Sequence, residues 1–331
     1  MTRLLLCLCT LLFAAPASAQ PALVKVATIA PQGSIYHRVL QEMGQAYTRA
    51  SGADARFIIY PNSIQGTEAD TVRRMRVGQL DASMLTVVGL SEIDRSVAAL
   101  QYMPMMFRSW EELDHVREKL RPALEAKLAA KGFVVLIWGE GGWVQFFTKE
   151  DIATPEQYRR ARIFAWSGDI VQASVMKSQG YHPVPIPLAD ILPALETGMV
   201  DAVPVAPLWA LVGQFDRIAR HMLRVNWVPI VGATVMRRQT YEAMKPEARA
   251  ALRAASDKAT DALRAHREAQ DEGSIRAMQA RGLQVKELTP ELEAAWRALA
   301  EKSWPHVRGT MVPAETFDRV QAILADYRGR K

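Results

Sequence analysis

Between Tyr158 and Pro207 the chain alternates short apolar runs with amphipathic segments, and this stretch restricts the fold more than any other. Ile163-Phe164-Ala165-Trp166 is apolar, and a helical segment follows from Asp169 through Ile170, Ala173 and Met176 to a stop at Gly180. Pro183-Val184-Pro185-Ile186-Pro187 is extended by its prolines. Asp190 then opens a short helix through Leu192, Leu195 and Met199, and Val200-Asp201-Ala202-Val203 runs out as a strand. A strand–helix–strand–helix–strand rhythm favours a parallel sheet covered by helices. In open sheets of this kind ligands bind beyond the carboxyl ends of the strands, which draws attention to Phe164 and Val205.

The flanking sequence extends the same pattern. Leu23 to Ile29, Arg56 to Tyr60 and Ala82 to Val88 read as strands. Between them lie a helix capped by Ser34, with Ile35, Val39, Met43 and Tyr47 on one face, and a helix opened by Thr67 and Asp70. The order βαβαβ is that of a doubly wound half. Ser109 and Glu112 suggest a capping box for a long helix to Gly132, followed by a buried strand from Phe133 to Trp138. Gly139-Glu140-Gly141-Gly142 reads as a strand-connecting turn, and Trp143 to Phe147 as the start of a second sheet. Thr154, with Gln157 three residues on, caps a short helix. Leu223 to Met236 is strand-rich and recrosses to the first sheet. From Pro246 to Arg281 runs an Ala/Arg/Glu-rich segment with only Gly273 to interrupt it, long enough to span two domains. Leu283 to Leu288 and helices from Pro290 and about Pro313 complete the chain.

At 331 residues the chain has room for two domains. Arg3, the apolar run Leu4 to Ala15 and Ala17-Ser18-Ala19 form a signal peptide of residues 1–19, too short for a membrane span, so secretion into the periplasm is expected. Cys7 and Cys9 both fall inside it. Disulfides and thiol chemistry in the mature chain are therefore excluded. Cleavage removes Arg3 and no acid, so the net charge of +6 becomes +5. That charge is dispersed, without the basic stripe that a nucleic-acid surface needs.

Catalytic constellations are equally hard to find. His37, His115, His182, His221, His266 and His306 include no pair at i,i+3 or i,i+4, which leaves a metal site without support. No nucleophile elbow or phosphate-binding loop is present. Glu111-Glu112 and Asp271-Glu272 read as solvated helix faces. Five of eight tryptophans, Trp138, Trp143, Trp166, Trp209 and Trp227, fall in one ninety-residue window around the expected cleft. Some of these rings are expected to face a ligand, others to fill a core.

Several motifs resemble those of DctP-type periplasmic solute receptors of tripartite ATP-independent (TRAP) transporters. Ala30-Pro31-Gln32-Gly33-Ser34 is similar to that family's first ligand-side loop, and Tyr60-Pro61-Asn62-Ser63-Ile64-Gln65-Gly66-Thr67-Glu68 to its "yp.g.lG.e" turn. Val77-Gly78-Gln79-Leu80-Asp81, Met103-Pro104-Met105-Met106-Phe107 and the run from Pro185 to Asp201 continue the match in order. The resemblance implies an α/β, two-lobed periplasmic binding protein fold with a hinge and a long helix spanning both lobes. Lobe I would comprise 20–141 and 229–269, and lobe II 142–228 and 270–331. It further implies a binding protein without cofactor or catalysis, handing its solute to a two-part TRAP membrane permease. It leaves room for an accessory periplasmic protein. A periplasmic enzyme on the same scaffold is the rival class, and would need the nucleophile–base pair or metal that the sequence lacks.

The ligand positions implied by the resemblance depart from the family's usual residues. An arginine commonly ends the "lkiR" strand, where this chain has Phe164; a second, twenty residues earlier, is Val144, and an asparagine after the Gly-Val-Val-Asp run is Val205. Three apolar side chains in place of polar anchors point to a hydrophobic or aromatic solute. Trp143, Gln145, Trp166, Trp209, Gln32, Gly33 and Tyr36 are expected around them. An organic acid held instead by Arg162, Arg74 or Arg76 is the alternative.

Overall fold

The computed structural model describes residues 23–52 and 54–330, so the expected signal peptide, Cys7 and Cys9 lie outside the described residues. Two sheets form the frame. In the first, β1 (Leu23–Thr28), β2 (Arg56–Tyr60) and β3 (Ala82–Thr86) run parallel, and β10 (Pro229–Arg237) joins them antiparallel to β3 and to β4 (Phe133–Trp143). The second sheet has the order β11-β9-β5-β8-β6-β7, built from β5 (Gln145–Thr148), β6 (Arg162–Trp166), β7 (His182–Ile186), β8 (Ala202–Val205), β9 (His221–Arg224) and β11 (Gln284–Glu287). Here β6, β7 and β8 are parallel and β5 is antiparallel to its neighbours.

The central strands of both sheets are buried on both faces, which is why they read as apolar runs, whereas the edge strands β2, β7 and β11 are partly exposed. Val24 and Val26 join one cluster with Leu40 and Leu252, whereas Ala27 faces another with Val72 and Leu85. In the second sheet Phe147, Phe164 and Val203 share one face, and Phe146, Ile163 and Ala202 the other.

Helix ends follow their local chemistry. Ser34 accepts from the His37 amide ahead of α1 (Ile35–Ser51), and Thr67 and Asp70 close a reciprocal box ahead of α2 (Glu68–Arg76). Thr154 and Gln157 do the same for α5 (Pro155–Arg160). At α4 (Trp110–Ala130) only half of the expected box forms. Ser109 accepts from the Glu112 amide, but the Glu112 carboxylate turns to the Arg108 amide and to Arg328. Glu112 is thus buried, not on a solvated face as its Glu-Glu sequence suggested.

Gly139-Glu140-Gly141-Gly142 is not a turn; it continues β4, because β10 supplies a hydrogen-bonded neighbour along this length. The small residues serve close approach. A Cβ on Gly142, whose φ is +96°, would lie 2.5 Å from an Asp271 carboxylate oxygen. Only Val144 separates β4 from β5, and residues 225–228 carry the chain back from β9 to β10. The two crossings are bonded to each other: the Val144 amide donates to the Val228 carbonyl (2.9 Å) and the Trp227 amide to the Val144 carbonyl (3.0 Å).

Beside these crossings runs α10 (Pro246–Gln279), 34 residues and roughly 50 Å long at 1.5 Å per residue. It packs on α1 and β4 of the first lobe and on α8 (Pro207–Val212) of the second. The C-terminal helices divide between the lobes. Trp296 of α11 (Pro290–Val307) enters the second lobe's core, whereas α12 (Ala314–Gly329) packs on α4. Residues 314–329 therefore do not follow the expected assignment of 270–331 to lobe II, because Phe317, Val320 and Leu324 complete the core beneath α4.

Candidate functional site in the inter-lobe cleft

Strand order brings three distant positions together. Val144 precedes β5, Val205 ends β8 and Phe164 lies in β6, and β5, β8 and β6 are consecutive in the second sheet. Gln145 pairs with Val205 and Ile163 with Ala202. Val144, Phe164 and Val205 consequently line one cavity of about 200 Å³, closed from the first lobe by Tyr102 and Pro104. Trp166, at the end of β6, lines this cavity and also a second one of about 580 Å³ towards Asn62 and Glu68. Trp209 borders the second cavity and a small third one of about 60 Å³, where Tyr36 and Thr234 lie.

The remaining expected contacts sit elsewhere. Trp143 packs on Trp110 with ring centroids 4.9 Å apart, and the Arg267 guanidinium covers the other ring 4.8 Å from its centroid. Gln145 is buried and fixes the chain crossing: its Oε1 accepts from the Val225 and Asn226 amides, and its Nε2 donates to Asn226 Oδ1. Both side chains border a separate groove beside Asp271. Gln32 and Gly33 lie on an exposed loop outside the cleft cavities, with the Gln32 amide donating to Asn62 Oδ1. Trp138 donates to Glu125 and belongs to the first lobe's core.

None of the three alternative arginines lines the cleft cavities. Arg162, at the exposed start of β6, makes a two-pronged pair with Asp201 at 2.7 Å for each bond. Arg74 donates to Gln65 and Arg76 to the Glu92 carbonyl.

Cleft groups that the sequence did not single out are acidic or aromatic. Tyr102 donates to the Asp169 carboxylate, and Asp169 Oδ1 also caps α6 (Ile170–Ser178) by accepting from the Gln172 amide at 2.9 Å. Burial raises the Asp169 carboxyl above its ordinary value, with the Tyr102 and Gln172 bonds opposing. Glu68 is raised by burial too, although both oxygens accept from Thr86. Trp296 closes the aromatic wall with Phe146, Tyr158 and Trp227, 5.2 to 6.0 Å away. Asp169 was visible as a helix start, but its partner Tyr102 is 67 residues away.

In the third cavity the Tyr36 hydroxyl donates to the Glu140 carbonyl at 2.9 Å and accepts from Gln270 Nε2 at 3.2 Å. Burial pushes its phenol up to about 12, so it stays neutral. The Glu140 carboxylate is held by buried Arg117 and, at 3.8 Å, by Arg267. No group of three or more metal-ligating side chains occurs among the described residues.

Residues 26–309 match the family described as bacterial extracellular solute-binding protein, family 7. The chain belongs to that family. Its members are solute receptors rather than enzymes. The receptor is 22% identical over 323 residues to the C4-dicarboxylate-binding periplasmic protein DctP of Rhodobacter capsulatus, a match spanning 96% of this chain and 95% of that one. It superimposes on a TRAP periplasmic solute-binding protein of Xanthobacter autotrophicus Py2, solved with bound β-D-galacturonate. That match has a TM-score of 0.81 at 18% identity and covers 91% of this chain and 99% of the other. A further likeness is to DctP7 of Bordetella pertussis, a receptor binding pyroglutamic acid, with a TM-score of 0.81, 16% identity and coverage of 92% and 99%.

Proposed function

We propose that this chain is the periplasmic receptor of a TRAP-type secondary transporter, and that its cleft holds a small hydrophobic or aromatic solute for delivery to a membrane permease. One observation carries the ligand class. The cavity beyond β5, β6 and β8 is walled by Val144, Phe164 and Val205, and its lining holds neither arginine nor lysine. Burying apolar ligand surface there contributes about 25 cal/mol per Å². A bare carboxylate would surrender its hydration without a cationic partner, and charge-assisted bonds of about 1.5–3 kcal/mol each would be missing. Lobe I is taken as 20–141 with 229–269, and lobe II as 142–228 with 270–313, closing about the crossings at Val144 and 225–228.

Relatives favour a second reading. The Rhodobacter capsulatus protein binds C4-dicarboxylates, and the Xanthobacter and Bordetella proteins hold galacturonate and pyroglutamic acid. An organic acid would require Arg162 to leave Asp201 and enter the cleft, or Arg74 or Arg76 to move. Native mass spectrometry of the receptor purified without denaturation, followed by release of the bound species, separates the two. An aromatic or aliphatic mass supports the first reading, and a small dicarboxylate or sugar acid the second.

A further inference from the structure

The cavity beyond β5, β6 and β8 is asymmetric in charge. Its lining contains one charged side chain among the described residues, the Asp169 carboxylate. That group is buried, and among the described residues its hydrogen-bond donors are neutral: the Tyr102 hydroxyl and the Gln172 amide. The acids Glu92 and Glu68 add negative potential, the first at Asp169 and the second at Tyr102. Arg159 is not part of the lining, although its guanidinium lies 5.3 Å from the Tyr181 ring centroid. Tyr102, which bonds Asp169, shares the lining of this cavity with Phe164, Trp166, Tyr181 and Trp227.

A buried carboxylate without a counter-charge and several aromatic rings on one small space form a cation-recognising arrangement. Aromatic faces attract ammonium groups through their quadrupole, most strongly when desolvated, and an ammonium beside the burial-raised carboxyl of Asp169 favours its ionised form and so its opposite charge. From this geometry we infer that the solute carries a protonated or quaternary amine, seated against Asp169 and the surrounding rings, with an apolar or aromatic remainder against Val144, Phe164 and Val205. This rests on the apolar-cleft reading and specifies its headgroup. A cavity of about 200 Å³ suits a small amine rather than a drug-sized molecule. Asp169 follows Trp166 by three residues and caps α6, so the turn that ends β6 places the carboxylate at the strand's ligand end.

The test holds ring and chain nearly constant and changes the headgroup. Phenethylammonium, 2-phenylethanol and phenylacetate are titrated into the receptor at neutral pH, with binding read by calorimetry and tryptophan fluorescence. The amine should bind at least about tenfold more tightly than the alcohol, and the acid most weakly. Asp169→Asn should bring amine and alcohol to within about threefold, and Tyr102→Phe, which keeps the carboxylate, should preserve the preference for the amine. The unaltered protein's three affinities decide the matter even if a variant folds poorly. Equal binding of amine and alcohol above a weak acid overturns the amine while leaving the apolar cleft standing. A tightest acid overturns both. Binding of none of the three at millimolar concentration, or a preference that survives Asp169→Asn, overturns the amine as well.

Discussion

The Tyr102 hydroxyl donates to the Asp169 carboxylate across the cleft, so a residue packed in the first lobe's core is bonded to the cap of α6 on the second. The bond joins two bodies that are also linked through the crossings at Val144 and 225–228, through α10 and through the chain between α11 and α12. In a receptor that closes by a hinge, a bond so placed would hold the closed form.

Replacing Tyr102 by Phe removes this hydrogen bond without emptying the space beside it. A bond to a charged group contributes about 1.5–3 kcal/mol, enough to move a closed population substantially towards open. Small-angle scattering of the solute-free variant should give a larger radius of gyration, and stopped-flow fluorescence a faster solute release. Scattering and release both equal to those of the unaltered receptor would assign closure to other contacts.

Phe164→Arg should weaken binding of the native solute by more than about tenfold, since it trades apolar wall for a guanidinium. In the unaltered receptor, C4 dicarboxylic acids should bind no better than millimolar. Competition calorimetry reads both. Unchanged native affinity in the variant would place the solute away from β6.

Much of this architecture was legible because local signals agreed with the fold. Ser34, Thr67 and Thr154 mark helix starts by bonds made within three residues, and the runs 163–166 and 202–205 are strands buried on both faces. The misreadings have one physical source: partners remote in sequence. Gly139–Gly142 lacks side chains that favour a strand, and only pairing with β10 holds it extended. Glu112 and Asp271 sit in acidic dipeptides, yet Arg328 and the Trp143 amide draw them inside. Trp143 and Trp166 are indistinguishable in sequence, but Trp143 meets Trp110 while Trp166 opens onto the cleft. Val144 came from the resemblance alone, and Phe164 and Val205 from the strand ends as well; all three line one cavity. Tyr102, Asp169 and Trp296 required the tertiary contacts themselves.

A buried charge cluster ties the first lobe to the long helix. Arg117 and Glu140, each with 2% of its side chain exposed, are paired, and Arg117 also meets Asp114 at 2.7 Å. Arg267 of α10 bonds Asp114 at 2.8 and 3.0 Å. Arg117→Met should destabilise the receptor by about 3–5 kcal/mol, because Glu140 keeps its burial and loses its main partner. Urea unfolding measures this. A loss below about 1 kcal/mol would mean that Arg267 takes over the charge.

Asp271 gives the stability a pH dependence. Burial, chiefly, lifts its carboxyl to about 7, with the Trp143 amide opposing, Glu272 adding and Arg224 opposing. The folded state therefore prefers the protonated acid. Its contribution is complete below the ordinary carboxylate value and is lost as pH rises through about 7. Over that window this group costs up to about 1.4 kcal/mol per pH unit. Glu68 and Asp169 are raised in the same direction, also chiefly by burial. Comparing urea midpoints of the receptor and Asp271→Asn between acid and neutral pH isolates the one site. The variant should show a flatter profile, and parallel profiles would remove Asp271 from the account.

The central claim, that the cleft receives an apolar or aromatic solute and not a small carboxylate, is tested most directly by identifying what the receptor carries. Native mass spectrometry of protein from its own host, set beside Phe164→Arg and Arg162→Ala prepared in the same way, gives the bound mass and its dependence on each position. The expected result is an aromatic or aliphatic species retained by Arg162→Ala and lost from Phe164→Arg. A small organic acid bound with submicromolar affinity and lost from Arg162→Ala would contradict it.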